Sequence, residues 1–238
     1  LAPRHREAAA QVLAARRYAT VQVTGGSRLV PHLAAVLAAS GVGQVHCAVD
    51  GPTRLHHVQP GGATAAEEGA PLALAAEAAV RRVAPDVDTR PPLRGERSDL
   101  TIVAAESPIP DERLDALHAG GAPYLAVRLG VDCGVVGPLV LPGVTSCLRC
   151  ADLHRGDRDP AWAALAVQLS IDRRHGPAAD VAVATIVAGV AAQQALAFVD
   201  GESTATLDGT LELRLPDWRL RRRSWSVHPG CPGASERP

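Results

Sequence analysis

Apolar runs and amphipathic stretches alternate along the first part of the chain. An apolar run over residues 19–23 leads into the glycine pair Gly25 and Gly26, and an amphipathic stretch then extends to a Gly-Val-Gly sequence at 41–43. A second apolar run, 45–49, ends at Asp50. This order predicts a strand, a tight turn, a helix and a second parallel strand, which together form the βαβ unit of nucleotide-binding folds.

The same alternation continues to about residue 145, and the pattern then changes. Further strands are predicted at 100–104, 124–129 and 135–141, and further helices at 71–83, 110–119, 160–173 and 181–199. Residues 204–226 alternate with a period of two, which is typical of antiparallel strands. We therefore predict an α/β fold in which a Rossmann-like, mostly parallel sheet is flanked by helices and carries an antiparallel C-terminal extension.

This pattern predicts one domain over residues 1–238. Residues 1–18 form a lead-in helix, 19–145 the Rossmann-like core, and 146–238 a cysteine-containing helical and antiparallel part. The net charge of -1 argues against a general nucleic-acid or anionic-membrane surface, and the apolar segment 181–199 is predicted as a buried helix. The five cysteines favour a reducing compartment, so we expect a cytoplasmic protein. The chain contains no lysine, so its fixed positive charges are arginines.

The turn after the first predicted strand carries part of a phosphate-binding pattern. Glycines let backbone N–H groups approach a pyrophosphate at a helix N-terminus, and an acid after the second strand binds the ribose. Gly25, Gly26 and Asp50 fit these roles, whereas Arg28 and Val30 place side chains where the approach is tight. Arg28 is itself a candidate phosphate ligand. The alternatives are a purely structural turn, a solvent-facing arginine, and Asp50 as a turn or helix cap.

A second group of residues has the spacing of a metal site. Cys147 and Cys150 form a Cys-x-x-Cys pair, which is typical of half a structural zinc site. Cys231 supplies a third thiol, and His228 is the candidate fourth ligand, because alanine occupies position 234, where a second Cys-x-x-Cys would close. The sequence thus predicts Zn²⁺, with an emptied relic of the site or a redox pair as alternatives.

Two further charged features have candidate roles. Glu106 follows the predicted strand 100–104, at the sheet edge where ligands of open α/β sheets bind, and is a candidate ligand of Mg²⁺ held by a triphosphate. The alternative for Glu106 is an exposed loop residue. Arginines at 219 and 221–223 lie between tryptophans 218 and 225. They form either a solvated edge that resists aggregation or a docking surface for an acidic peptide or partner.

Taken in order, these motifs resemble the ThiF/MoeB superfamily, the adenylating domains related to ubiquitin-activating enzymes. The matching features are the strand–Gly–helix–Gly-Val-Gly–strand–Asp order of residues 21–50, the Cys-x-x-Cys at 147–150, and the His-Pro-Gly-Cys at 228–231. The chain is most similar to an actinobacterial branch associated with azole/azoline-modified peptides, through GVVGPLVLPGVTSCLRCADLHRGDRDPAWAALAVQL and RRRSWSVHPGC.

This resemblance implies an adenylation site, which the sequence matches in part. Active members activate a C-terminal carboxylate with ATP and Mg²⁺ and pass the acyl group to a thiol. They use a glycine-rich loop, a ribose acid, an Asn/Arg pair, a lysine and a metal-binding aspartate. Asp50 matches the ribose acid, and the glycine pair matches part of the loop. The Asn/Arg segment has become residues 51–57, with Arg54 as a substitute, the lysine is absent, and Glu106 lies nearest to the metal position.

The resemblance also implies partners. In this branch the domain follows a leader-peptide-binding module, which we expect upstream of residue 1, and acts with a YcaO-type cyclodehydratase on a precursor peptide; members are homodimers. Because the ATP site is degenerate, we expect a non-catalytic scaffold that presents the peptide to that enzyme. The alternatives are an active adenylyltransferase that uses the altered residues and, less well matched, an NAD(P)-dependent oxidoreductase.

Overall fold

The computed structural model describes residues 9–93, 95–171 and 179–234, which form a seven-stranded sheet with helices packed against it. The strands are β1 (Thr20–Thr24), β2 (Gln44–Ala48), β3 (Leu100–Ala105), β4 (Tyr124–Leu129), β5 (Cys133–Val140), β6 (Gly209–Arg214) and β7 (Arg219–Ser224). The helices are α1 (Ala9–Arg16), α2 (Leu29–Ala39), α3 (Leu72–Val83), α4 (Asp111–Gly120), α5 (Leu148–Arg158), α6 (Trp162–Ile171) and α7 (Val181–Val199).

The strand order is β2-β1-β3-β4-β5-β6-β7. Pairing is parallel from β2 through β4 and antiparallel from β4 through β7. This arrangement confirms the predicted fold class. Because β2 and β3 pair with opposite sides of β1, the chain reverses its direction of travel across the sheet at β1. The carboxyl ends of β1 and β3 therefore flank a topological switch point, where open α/β sheets bind ligands.

The two faces of the sheet bury different clusters. In the paired strands β4 and β5, Leu125 and Leu139 contribute to the main core, together with apolar side chains of α2 and α7. Their neighbours Tyr124 and Val140 belong to a second cluster that contains three cysteines. Because successive side chains of a strand point to opposite faces, β4 and β5 separate the main core from the cysteine cluster.

Helix α7 is the one helix in the described part of the chain that is long and apolar enough to cross a membrane, and half of its apolar window is buried. It packs on α2 and on β5. A Cβ atom at Gly134 of β5 would lie 2.1 Å from Cγ2 of Val187, so this packing requires glycine there. Such close contact is that of a core helix, as the sequence predicts.

Two segments are more helical than the sequence pattern indicates, and parts of two predicted helices lie outside the described residues. The Cys-x-x-Cys segment begins α5 rather than forming an isolated turn, because Cys147 precedes a stretch rich in leucine, arginine and alanine, which favour helix. The loop after β2 contains two short 3₁₀ helices, Leu55–His57 and Ala65–Glu67. Of the lead-in helix, Ala9–Arg16 is described, and residues 1–8 lie outside the described residues, as does the predicted helical stretch beyond residue 171.

Candidate functional site

The turn between β1 and α2 contains two glycines with different roles. Gly25 has φ +110°, and a Cβ atom there would lie 2.0 Å from the carbonyl oxygen of Ala104 in β3. Only glycine fits this position, because a side chain would clash with backbone and because L-residues rarely adopt this φ. Gly26 has no atom within 4 Å of a Cβ position. Backbone packing therefore explains Gly25 without any ligand.

Glu106, which follows β3, lies at the N-terminus of α2. Its Oε1 accepts hydrogen bonds from the Ser27 hydroxyl at 3.1 Å and from the Arg28 backbone N–H at 2.9 Å. The first N–H groups of a helix lack partners within it and carry partial positive charge, so they attract anions. In nucleotide-binding folds this position holds a phosphate. Here a carboxylate of the protein itself is bound there.

Burial is the largest influence on the ionisation of Glu106. It raises the pKa of this half-buried carboxyl, and the hydrogen bonds from Arg28 and Ser27 and the Arg28 charge act in the opposite direction. A bound triphosphate would need the N–H groups that the carboxylate uses, and the two anions would repel each other. The described arrangement therefore does not fit ATP with its phosphates on α2.

Arg28 is buried, with 6% of its surface exposed. Its Nη1 donates to the carbonyl oxygen of Ala179 at 2.6 Å, and its own carbonyl oxygen accepts from Nε2 of Gln59 at 2.9 Å. These bonds join the start of α2 to the segment before α7 and to the loop after β2. One hydrogen bond thus holds the guanidinium, and its buried Nε has no partner among the described residues, so a role for Arg28 as a phosphate ligand stays a prediction.

His57 also belongs to this region, although sequence reasoning assigned it no role. Its Nδ1 accepts the Arg54 backbone N–H at 2.9 Å. Burial lowers the pKa of His57 to about 4, with contributions from His56, Arg28 and Arg54 that exceed the opposing effect of the Gly26 backbone. The imidazole is therefore neutral at pH 7. A lone sequence offers little signal for such a residue, because loop 51–64 has no periodicity.

Asp50 lies at the carboxyl end of β2, on the same sheet edge as the β1–α2 turn, because Ala48 pairs with Thr24 in parallel register. Its side chain is exposed and makes no hydrogen bond or ion pair with any residue that the structure describes. The structure thus brings Gly25, Asp50 and Glu106 to one edge. Of these, Asp50 is available to a ligand, and its role as the ribose acid stays a prediction.

The three cysteines of the predicted metal site lie together although Cys231 is distant in sequence. The Sγ atom of Cys147 lies 3.8 Å from Sγ of Cys150 and 3.6 Å from Sγ of Cys231, and all three residues are buried. A tetrahedral zinc ion with Zn–S bonds of about 2.3 Å separates its sulfur ligands by roughly 3.8 Å. The donor set and its spacing therefore fit Zn²⁺.

The thiols differ in acidity. Burial raises the pKa of Cys147 to about 12 and also raises that of Cys231. For Cys150, burial acts in the same direction, but hydrogen bonds from the backbone of Cys147 and His228 outweigh it and lower the pKa. A metal ion would replace these protons, since it binds thiolates.

The imidazole of His228 is directed away from the thiols, although its backbone contacts Cys150. Its Nδ1 accepts from the backbone N–H of Gly230 at 3.0 Å, and its Nε2 donates to Asp157 at 2.9 Å. Its metal-binding atoms group with those of Asp157 and His154 instead of with the sulfurs. A small pocket bordering Cys147 contains His118, whose Nε2 lies 3.1 Å from the Tyr124 hydroxyl. The identity of a fourth ligand thus stays a prediction.

The last strand, β7, forms one edge of the sheet, and all six of its residues are exposed. Trp225, just after it, is buried and donates from Nε1 to the Thr210 hydroxyl at 3.0 Å. The Arg155 guanidinium lies 4.6 Å from the Trp225 ring and 5.1 Å from the Trp162 ring. These cation–π contacts tie β7 to α5 and α6.

With this geometry established, the chain can be compared with known proteins. No protein-family model matches it, and no curated protein matches it. Solved structures do match: Escherichia coli MccB with succinimide has 17% sequence identity and a TM-score of 0.76, covering 96% of this chain and 69% of that one. MccB with AMPCPP and MccA has 16% identity and a TM-score of 0.77, covering 95% and 69%.

A second protein, PaaA, is similar at 18% identity and a TM-score of 0.70, covering 90% of this chain and 75% of that one. At these identities the likeness establishes the fold, which is that of MccB and PaaA. MccB is described as a microcin C7 biosynthetic enzyme and has been solved with ATP and with N-formylated MccA.

Proposed function

We propose that this chain is a non-catalytic ThiF-like domain that binds a ribosomally made precursor peptide and presents it to a YcaO-type cyclodehydratase. One observation carries the non-catalytic part: the Glu106 carboxylate accepts the Arg28 N–H at 2.9 Å, at the helix N-terminus where a nucleotide phosphate would bind. Phosphoryl and adenylyl transfer depend on positive charges placed in advance around the phosphates. A carboxylate at that position has the wrong sign.

Other features of the chain support this proposal. The sequence has no lysine to contact the phosphates, and the Arg28 guanidinium donates to Ala179 at 2.6 Å. The peptide part of the proposal is supported by MccB, which has this fold and has been solved with MccA. The cyclodehydratase partner, an upstream leader-binding module, a homodimer and a cytoplasmic location follow from the sequence resemblance and are proposals of the same kind. Zn²⁺ at the thiols is a proposed structural ion.

The first test is calorimetric titration with ATP and Mg²⁺, together with ATP–pyrophosphate exchange in the presence of candidate peptides. We expect no saturable ATP binding in the micromolar range and no exchange. The second test measures dehydration of the precursor peptide by the cyclodehydratase, followed by mass spectrometry as loss of one water per ring. We expect ring formation to require this protein and to tolerate Asp50→Ala.

A working adenylyltransferase is the second candidate, and two observations favour it. MccB has been solved with ATP and with AMPCPP together with MccA, and Asp50 of this chain is exposed at the position of a ribose-binding acid. In that case Glu106 would have to leave the helix terminus when the nucleotide binds. Saturable ATP binding with pyrophosphate exchange, both lost in Asp50→Ala, would replace the scaffold proposal with this one.

A further inference from the structure

We propose that the free edge of β7 is a strand-addition site for an extended acidic peptide segment. This inference deepens the proposed function, because it names a surface on which a peptide would bind. It rests on three properties of β7: backbone hydrogen-bonding groups that no described residue pairs with, three of its four arginines on one face, and exposed apolar side chains close by.

The open backbone groups follow from the register of β6 and β7. Trp225 N–H donates to the carbonyl oxygen of Asp208 at 2.9 Å, and Leu215 N–H donates toward β5, to Asp132, at 2.9 Å. Hydrogen-bonded pairs alternate along an antiparallel ladder, so residues 219, 221 and 223 bond to β6. The N–H and C=O groups of Leu220, Arg222 and Ser224 therefore point outward, and no described residue pairs with them.

The opposite edge of the sheet is different. Gln44 of β2 forms a bridge with Asp88, and Val45 N–H donates to the Asp88 carbonyl oxygen at 2.9 Å. A segment of the chain thus begins to cover that edge. Exposed strand edges bind further strands readily, and proteins that leave one open usually protect it with charge or use it for recognition.

The positive charge of the β7 arginines favours an acidic partner. Arg219, Arg221 and Arg223 share a sheet face with Arg214, and the acidic groups bonded to these arginines are Glu212 and Asp217. Four guanidinium groups thus face two carboxylates, and the side chain of Arg219 has no ion pair among the described residues. A second copy of the chain paired along this edge would place arginine against arginine, which is unfavourable. An acidic strand complements it.

Apolar surface adds a second determinant. Leu220 is 50% exposed on the other face of β7, and Trp218, at the start of the strand, is 54% exposed. A strand that alternates acidic and apolar residues would set its carboxylates over the arginines and its apolar side chains on the Leu220 face. Trp218 provides a fluorescence signal for such binding.

The test uses the full chain and a short acetylated, amidated peptide that alternates glutamate and valine. We expect Trp218 fluorescence to titrate with this peptide, and a lysine–valine peptide to leave it unchanged. The double variant Arg219→Glu/Arg221→Glu should weaken binding at least about tenfold. Arg81→Glu is the matched control, since Arg81–Glu77 is an exposed i,i+4 pair like Arg221–Asp217. Equal affinity in the double variant and the control would overturn the proposal.

A second test distinguishes hydrogen bonding to the β7 backbone from simple electrostatic attraction to the arginines. Alternate residues of a strand direct their N–H groups to opposite edges, so only the valines or only the glutamates of the bound peptide donate to β7. N-methylation of that residue type should abolish binding, and N-methylation of the other type should leave binding intact. Equal affinity of both methylated peptides would overturn strand addition. Leu220→Pro removes an outward N–H and the exposed leucine side chain but no hydrogen bond to β6, so it should retain the melting temperature and lose the peptide.

Two further measurements distinguish peptide binding at β7 from self-association of the chain and from the proposed scaffold function. A dimer in light scattering that disappears in Leu220→Pro would assign the edge to a second copy and overturn the peptide proposal. ATP–pyrophosphate exchange is measured on the same variants. Exchange by wild-type protein would reject the scaffold function and leave the β7 result standing, because the β1–α2 turn and β7 belong to separate parts of the sheet.

Discussion

The N-terminus of α2 and the thiol cluster of Cys147, Cys150 and Cys231 are two candidate ligand sites that differ in what they already bind. At α2 the helix end already binds an anion, because Glu106 accepts from Ser27 and Arg28. At the thiol cluster three buried sulfur atoms lie within metal-binding distance of one another. The contrast is between a helix end that already binds a carboxylate of the protein and a group of thiols whose spacing fits a metal ion.

The largest effect should come from the thiol cluster. We expect Cys147→Ser or Cys231→Ser to lower the free energy of unfolding by about 4 kcal/mol or more, because the tail and α5 would lose a shared metal. Zinc content by elemental analysis and urea unfolding check this. Cys133→Ser is the control, since Cys133 lies outside the cluster and is half-buried. Purified protein without zinc, with Cys147→Ser as stable as the control, would contradict it.

Alanine substitutions at Gly25 and Gly26 should differ in their effect on stability, because only Gly25 packs against the backbone of a neighbouring strand. Gly25→Ala should destabilise the protein by about 3 kcal/mol, because its Cβ would collide with the Ala104 carbonyl and its φ is +110°. Gly26→Ala should change stability by less than about 0.5 kcal/mol, because the position is open. Chemical unfolding of both variants is the measurement. Similar losses in the two would indicate that the turn differs from the described one.

Removal of the Glu106 carboxylate should leave the N-terminus of α2 able to bind an added anion. Glu106→Ala leaves the Ser27 hydroxyl and the Arg28 N–H without their partner, which should cost about 1–2 kcal/mol. Inorganic phosphate should then raise the melting temperature of Glu106→Ala and have little effect on wild type. Glu67→Ala, which removes another carboxylate that caps a backbone N–H, is the control for nonspecific salt effects. Equal phosphate stabilisation of wild type would show that Glu106 does not fill the site.

The smallest effect concerns pH. Burial raises the pKa of Glu106 above its ordinary value of 4.5, so the stability it contributes is present below that value and is lost as pH rises through the raised pKa. Glu106→Gln cannot ionise, so its stability relative to wild type should increase as the pH rises above 4.5. Thermal unfolding as a function of pH tests the sign. A relative loss of stability in the variant with rising pH would mean that the charged form is favoured.

Much of the site was predictable because it depends on chain order. Parallel strands bring their carboxyl ends to one edge, so the glycine turn, Asp50 and Glu106 could be placed together from the pattern alone. The role of Glu106 could not be predicted from the pattern, because a loop carboxylate that binds Mg²⁺ and one that caps a helix have the same sequence signature. His57 and Gln59 escaped sequence reasoning for a related reason, since their contacts come from a loop without periodicity.

For the thiols, the spacing of Cys147 and Cys150 indicated half a metal site, and the distant Cys231 completed the set of three as expected. His228 shows the limit of that reasoning, because the turn at Gly230 directs its ring to Asp157. Sequence by itself determined the α/β order, the glycine demanded by the β1 turn and the three cysteines that could bind a metal, since these follow from local periodicity and residue chemistry. Only the tertiary structure decided which anion lies on α2, which way Arg28 and His228 point, and that no described strand pairs with the outer edge of β7. Those outcomes depend on contacts between residues far apart in the chain.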